Sequence, residues 1–153
     1  MSETANHGKL GLIVLGSIRE QGTLVDERIK QLRGEDPSAG TYIIPIEEVR
    51  FSNGEGKIRI KDSVRSKDIY ILADVGNYSC TYNMFGHEHH MGPDEHFQDI
   101  KRVIGAIGGK ASRVTLIMPL LYASRQHKRK GRESLDCAMA LNELENLGVS
   151  TII

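Results

Sequence analysis

Cysteine is scarce in this sequence: Cys80 and Cys137 stand alone and form no Cys-x-x-Cys pair. A disulfide framework and a redox dithiol are therefore excluded as organising features, and reduced thiols in a cytoplasmic setting are the expectation. Long apolar runs are also missing. Met1 to Lys9 is polar and nothing approaches the ~20 residues of a membrane span, so neither a membrane nor export is indicated. Charge of one sign is not in excess, since 20 Lys plus Arg balance 20 Asp plus Glu. General attraction to nucleic acid or to a lipid surface would need a basic face, so neither partner is expected. Three signatures are lacking as well: a Gly-x-x-x-x-Gly-Lys-Ser/Thr loop, a Gly-x-Gly-x-x-Gly turn after the first strand, and a Gly-x-Ser-x-Gly elbow. Their absence weakens P-loop kinase, dehydrogenase and hydrolase readings. There is no internal repeat and no low-complexity segment.

What is present has the length of one domain, 153 residues. Gly11–Ser17, Asp68–Ala73 and Val114–Leu121 are short apolar runs of the kind buried on both faces of a parallel sheet. Thr41–Ile46 is β-rich, with Pro45 limiting its pairing. Val49–Phe51 and Lys57–Ile60 flank Ser52-Asn-Gly-Glu-Gly56, and Asn-Gly between strand-like segments signals a hairpin. Helices are predicted over Leu24–Leu32, with Leu24, Val25, Arg28, Ile29 and Leu32 at helical spacing, and over Pro93–Ile107, with Phe97, Ile100, Ile104 and Ile107 on one face. A third is predicted over Glu133–Leu147, with Leu135, Ala138, Leu141, Leu144 and Leu147 inward. Strand–helix alternation gives a three-layer α/β/α domain with a mainly parallel sheet and an added β-hairpin. Residues 1–9 are expected to be a flexible N-terminus and 10–153 the domain. Val149–Ile153 begins one more strand, from which the sequence is expected to be a piece of a longer protein.

Candidate chemistry gathers in four places. Five of the eight residues from Arg125 to Arg132 are Lys or Arg, directly after a buried strand. Ligands bind at the carboxyl ends of strands in open α/β sheets, so Lys128, Arg129, Lys130 and Arg132 are candidates to grip phosphate groups. A solvated basic loop is the alternative. At the hairpin, a base stacked on Phe51 would meet Asn53 and Glu55 at its edge; by itself such a segment is usually only a turn. Arg125 and Gln126 offer a guanidinium plane and an amide. Finally, residues 86–96 hold four of the six histidines. His87, His89 and His90 are possible nitrogen ligands, but their spacing fits no structural zinc pattern, and a mobile surface loop is expected.

In order, Gly16-Ser17, Phe51-Ser-Asn-Gly-Glu55, Asp62-Ser-Val-Arg-Ser-Lys-Asp68, Tyr122-Ala-Ser-Arg-Gln126 and the basic loop resemble the N-terminal half of ribose-phosphate pyrophosphokinases, from about Lys9 to Ile153. The resemblance implies a phosphoribosyltransferase-like fold. It also implies transfer of the pyrophosphate of Mg-ATP to ribose 5-phosphate, which makes phosphoribosyl pyrophosphate for nucleotide biosynthesis. It places adenine between Phe51 of one subunit and Arg125 of its neighbour, with Asn53 and Glu55 on the base edge and Gln126 and His127 beside it. Ser63, Arg65 and Arg132 would line a regulatory site for phosphate or ADP, and dimers would build hexamers. Asn53 replaces the family's usual Asp, His127 replaces an acid, the basic loop is about one residue shorter, and Phe85–Pro93 is an insertion. The metal and ribose-phosphate segments of the family lie beyond Ile153, so no catalytic residue is expected in this stretch, which alone should be inactive. A non-catalytic regulatory paralogue that binds nucleotide or synthetase subunits is the alternative.

Overall fold

The computed structural model describes residues 8–153. In chain order the elements are β1 (Lys9–Val14), α1 (Arg19–Leu32), β2 (Ile46–Arg50), β3 (Gly56–Ile60), β4 (Lys67–Leu72), β5 (Thr81–Met84), β6 (His87–His90), α2 (Pro93–Ile107), β7 (Arg113–Ile117), α3 (Asp136–Asn146) and β8 (Thr151–Ile152), with 3₁₀ turns at Gly16–Ile18 and Ser124–Gln126. Of the N-terminus expected to be flexible, residues 1–7 lie outside the described residues, and Lys9 already belongs to β1.

The expected apolar runs pair as a parallel sheet in the order β1-β4-β7-β8, and a bridge from Leu12 to Ile43 extends the β1 edge. Alternate residues serve opposite faces, which is why the runs are continuously apolar. Ile13, Ile69, Ile71 and Leu116 pack with Ile100, Val103 and Ile107 of α2 and Leu144 of α3. Leu12, Val14 and Leu72 form a smaller cluster with Ile18, joined by Ile29 of α1. The three-layer arrangement holds, though α1 leaves part of its face as a groove of about 490 Å³ lined by residues such as Leu10, Leu12, Val25, Leu32 and Ile117. Among the described residues no helix is long and apolar enough to cross a membrane.

Several local expectations are corrected. Helix α1 starts at Arg19 and turns Gly22 and Asp26 inward, while Leu24, Val25 and Leu32 are exposed. Gly22 sits so close to β1 that a Cβ there would lie 2.3 Å from a Val14 methyl. Asp26 accepts the Tyr42 N–H at 2.7 Å and pairs with Lys30 at 2.9 Å. Polar anchoring thus overrides the leucine spacing. Helix α2 has the expected bounds and inward face. Helix α3 starts three residues late, because Glu133 serves the preceding loop: its carboxylate accepts the Lys130 N–H and its carbonyl accepts from Arg129 Nε. Its inward residues are Cys137, Ala140 and Leu144, and Leu147 is exposed. Thr41–Ile46 gives only the single bridge at Ile43 before β2.

The histidine-rich stretch is not a mobile loop but a second antiparallel hairpin, β5–β6, paired from Thr81↔His90 to Met84↔His87. Its turn residues Phe85 and Gly86 have φ of +48° and +87°. The Asn83 side chain supports them by accepting the Gly86 N–H at 2.8 Å.

Candidate functional site

Hairpin β2–β3 packs along α2 and carries its tip, Phe51–Glu55, clear of the sheet. Two backbone bonds close the tip, Phe51 N–H to Glu55 C=O at 2.7 Å and Gly54 N–H to Phe51 C=O at 2.9 Å. Phe51 remains 49% exposed, a large apolar ring with no role in the core. Asn53 and Glu55 are joined: the Asn53 Nδ2 donates to Glu55 Oε2 at 3.0 Å, and Asn53 Oδ1 accepts the Glu55 N–H at 3.1 Å. One amide N–H and the Glu55 Oε1 are therefore left to face a ligand as neighbouring donor and acceptor.

The tip is held by groups the sequence reading did not single out. Arg50 Nη2 meets Asp99 Oδ2 at 2.5 Å, and Arg102 Nη1 meets Asp99 Oδ1 at 2.6 Å. Arg50 also donates to the Gly54 carbonyl at 3.3 Å and lies 5.2 Å from the Tyr82 ring centroid. The second hairpin completes the brace, with the Phe85 N–H donating to the Ser52 carbonyl at 2.9 Å. Tyr82 Oη donates to Glu95 Oε1 at 2.6 Å, and Glu95 Oε2 faces His89 Nε2 at 3.2 Å and the Gly92 N–H at 2.9 Å. Burial by itself would raise the Glu95 carboxyl, but hydrogen bonds from Tyr82, Gly92 and His89 outweigh it and hold it below its ordinary value. The longest of these ties joins Arg50 to Asp99, 49 residues apart, so only a hydrophobic period and a turn signal, not the ties themselves, show in the sequence.

The β7 carboxyl end leads through Tyr122 and Ala123 (φ +56°) into the 3₁₀ turn Ser124–Gln126. Tyr122 anchors this passage by stacking on Phe97 at 4.1 Å and donating to Asp94 at 2.8 Å. Burial, the Asp94 bond and the charges of Asp94, Asp136 and Glu143 push its phenol up to about 12. A cavity of about 320 Å³ opens beside Leu120, Tyr122, Arg125, Gln126 and Asp136. Arg125 is exposed and Gln126 half-buried. His127, Lys128, Arg129, Lys130 and Arg132 are all exposed, with His127 Nδ1 on the Ser124 carbonyl at 2.8 Å. The first turn of α2 thus stands between the two elements, with Asp94 tied to the β7 loop and Glu95 to the hairpins.

Ser63 and Arg65 are elsewhere. They flank buried Val64 in the link entering β4, where Ser63 Oγ accepts the Arg65 N–H at 3.3 Å. This is the amino end of the parallel strands, roughly 20 Å along a six-residue strand from the carboxyl end. Within one chain the Ser-Val-Arg segment and the basic loop are not neighbours. Of the histidines, His90 stacks on Tyr78 at 4.5 Å, His89 pairs with Glu95 and His87 is exposed. Among the described residues no group of three or more His, Cys, Asp or Glu is placed to hold a metal ion.

One polar cluster at the carboxyl ends of β1 and β4 was foreshadowed only by Gly16-Ser17. Glu48 accepts the Gly16 N–H through both oxygens at 3.0 and 3.1 Å and meets Arg19 at 3.3 Å. Desolvation nevertheless raises its carboxyl above the ordinary range. Ser17 Oγ accepts the Asp74 N–H at 3.1 Å, and Asn77 Nδ2 donates to the Ser17 carbonyl at 2.8 Å. An internal carboxylate occupies the turn that binds anions in many α/β proteins.

A parallel α/β core with a hairpin flag and a β7 exit loop defines a phosphoribosyltransferase-like domain. The same architecture appears in the phosphoribosylpyrophosphate synthetase from Mycobacterium smegmatis, with a TM-score of 0.71 at 20% identity over 95% of this chain and 41% of that one. The model of the N-terminal domain of ribose phosphate pyrophosphokinase matches residues 13–148, so the chain belongs to that family. Ribose-phosphate pyrophosphokinase 1 of Schizosaccharomyces pombe is 36% identical over 68% of this chain and 22% of its own length. The Mycoplasma genitalium ribose-phosphate pyrophosphokinase is 28% identical over 92% of this chain and 36% of its own. The chain spans about a fifth to two fifths of the length of these relatives.

Proposed function

We propose that this chain is the ATP-binding N-terminal domain of a ribose-phosphate pyrophosphokinase, with the hairpin tip and the Arg125 turn as its nucleotide grip. In the proposed reaction O1 of ribose 5-phosphate attacks the β-phosphorus of ATP. The bond from that phosphorus to the α-phosphate oxygen breaks, AMP leaves, and O1 gives up its proton. The observation that carries the reading is the tip itself. It presents an exposed aromatic face next to one free N–H and one free carboxylate oxygen. An adenine edge offers the complementary ring nitrogen and amino group. Arg125 would cover the opposite face of the base from a neighbouring copy, as a guanidinium plane does well.

The remaining roles follow from position. Gln126, His127 and the cations at 128, 129, 130 and 132 follow Arg125 in the same exposed loop and would meet the triphosphate. Ser63 and Arg65, at the other end of the strands, suit a separate phosphate or ADP effector, which Arg132 reaches only from another copy. A site shared between copies would call for a homo-oligomer, proposed here as dimers building a hexamer. Magnesium fits this chain only as a companion of ATP. The acids near the grip each have one oxygen engaged, Glu55 by Asn53 and Asp94 by Tyr122, and no three-ligand cluster stands among the described residues. Magnesium bound through substrate phosphates would neutralise the charge of the transferred group. Titration of Mg-ATP into Phe51→Ala and Arg125→Ala tests the grip. Each should weaken binding about ten- to a hundredfold, and unchanged affinity in both would remove it.

A further inference from the structure

We infer that the β5–β6 hairpin is a positioning arm for the nucleotide grip. Its positioning residue is Tyr82, which sets Asn53 and Glu55 in place through Gly54, the residue between them. The inference rests on the ATP-grip reading above. Hairpin β5–β6 does not serve the core: no residue of Thr81–Met84 or His87–His90 is buried, and Phe85 at the turn is 71% exposed. Neither apolar cluster, nor the half-buried side chains packed against them, draws on it. What this hairpin touches is the tip of β2–β3.

The contact is direct. A Cβ added at Gly54 would meet the Tyr82 Oη at 3.1 Å and the Met84 sulfur at 3.3 Å, so both side chains lie against the turn. Tyr82 and Met84 are next but one on β5 and share a face of the hairpin. Arg50 closes the same corner, donating to the Gly54 carbonyl at 3.3 Å with its guanidinium carbon 5.2 Å from the Tyr82 ring centroid. The Phe85 N–H fastens the end of the arm to the Ser52 carbonyl at 2.9 Å. Tyr82 is in turn anchored to α2: its Oη donates to Glu95 Oε1 at 2.6 Å, and Glu95 Oε2 takes the Gly92 N–H at 2.9 Å. Burial first, then the bond to Glu95 and its charge, push the Tyr82 phenol above its ordinary value. The hydroxyl therefore stays a donor, to a carboxylate that is itself held ionised. The side chains of Asn53 and Glu55 bond within the tip, so where Gly54 sits decides where they sit. A tip held this way meets the nucleotide already ordered, whereas an unheld one is ordered at the expense of binding.

The test is a double-mutant cycle on Mg-ATP affinity, run in the protein expressed from its complete reading frame with Tyr82→Ala, Glu55→Ala and both together. Tyr82→Ala leaves at least one tip residue to be ordered on binding, which predicts about tenfold weaker affinity. In the Glu55→Ala background the base edge has already lost its acceptor, and the same change should weaken binding about twofold or less. Tyr82→Phe keeps the ring without the Glu95 bond and should fall between. It should also speed amide exchange at Phe51 and Gly54 about threefold or more, with protection in β1 and β4 unchanged. Equal losses in both backgrounds overturn the inference, because Tyr82 then acts elsewhere than through the tip. Parent affinity in both Tyr82 variants beside a weakened Glu55→Ala also overturns it and leaves the grip standing. Parent affinity in Glu55→Ala and in Phe51→Ala overturns the grip itself, and the arm with it. If Tyr82→Ala does not fold, Tyr82→Phe decides, and unchanged exchange at Gly54 overturns the arm.

Discussion

Replacing Asp99 by Ala should both destabilise the protein and loosen the β2–β3 hairpin. Asp99 is 5% exposed, and each of its oxygens takes one arginine, Arg50 from β2 and Arg102 from its own helix. Without it two guanidinium groups, 12% and 22% exposed, face each other with no counter-charge. Breaking a buried pair costs about 3–5 kcal/mol. The partial exposure of Arg102 argues for the lower end, about 3 kcal/mol. For a chain of this size each kcal/mol moves the thermal midpoint by about 2–4 °C, so a fall of roughly 6–12 °C is expected. Urea or thermal unfolding without ligand reads it directly. Asp99→Asn, which keeps an acceptor for one arginine, should lose less. Replacing all three charges, Arg50→Met with Asp99→Leu and Arg102→Leu, should recover much of the loss, because apolar replacement of a whole buried ion network is often neutral. A midpoint within about 2 °C of the parent for Asp99→Ala would refute the claim that this ion pair holds the hairpin.

Tyr122 should ionise late. Near-ultraviolet phenolate absorbance should show one tyrosine with a midpoint of about 12, and Asp94→Asn should bring it down towards the ordinary 10.0; an unchanged midpoint would contradict the anchoring of the β7 loop to α2. Asp26 is held below its ordinary 3.8: burial opposes this, but hydrogen bonds from Lys30, the Tyr42 N–H and Thr41, with the Lys30 charge, prevail. A lowered folded value means its stabilisation is complete above 3.8 and is lost as pH falls through the folded value. The stability gap between the parent and Asp26→Asn should therefore be constant at neutral pH and close in acid; a gap independent of pH would refute it.

Much of the fold was legible because its strands are buried on both faces. Ile69-Tyr-Ile-Leu72 and Val114-Thr-Leu-Ile117 are β-rich runs that fit little else, and Asn53-Gly54 fixed the first hairpin. The second hairpin was not legible. Thr81–His90 offers few β-formers, and its stability comes from Tyr82, Asn83 and His89 bonding partners that only the fold brings near. On α1 the leucines misled, since Gly22 permits close packing on Val14 and Asp26 seeks the Tyr42 amide. The tip residues Phe51, Asn53 and Glu55 were legible as a constellation. Their brace of Arg50, Asp99 and Arg102 was not, because it joins residues 49 apart in sequence and depends on how β2 lies across α2.

The most direct measurement is release of AMP from Mg-ATP by the protein expressed from its complete reading frame, with and without ribose 5-phosphate. The account predicts AMP only when the sugar phosphate is present, in step with phosphoribosyl pyrophosphate, and strongly reduced by Phe51→Ala together with Arg125→Ala. Saturable ATP binding with no sugar-dependent AMP would contradict it and establish a nucleotide-binding regulatory role instead.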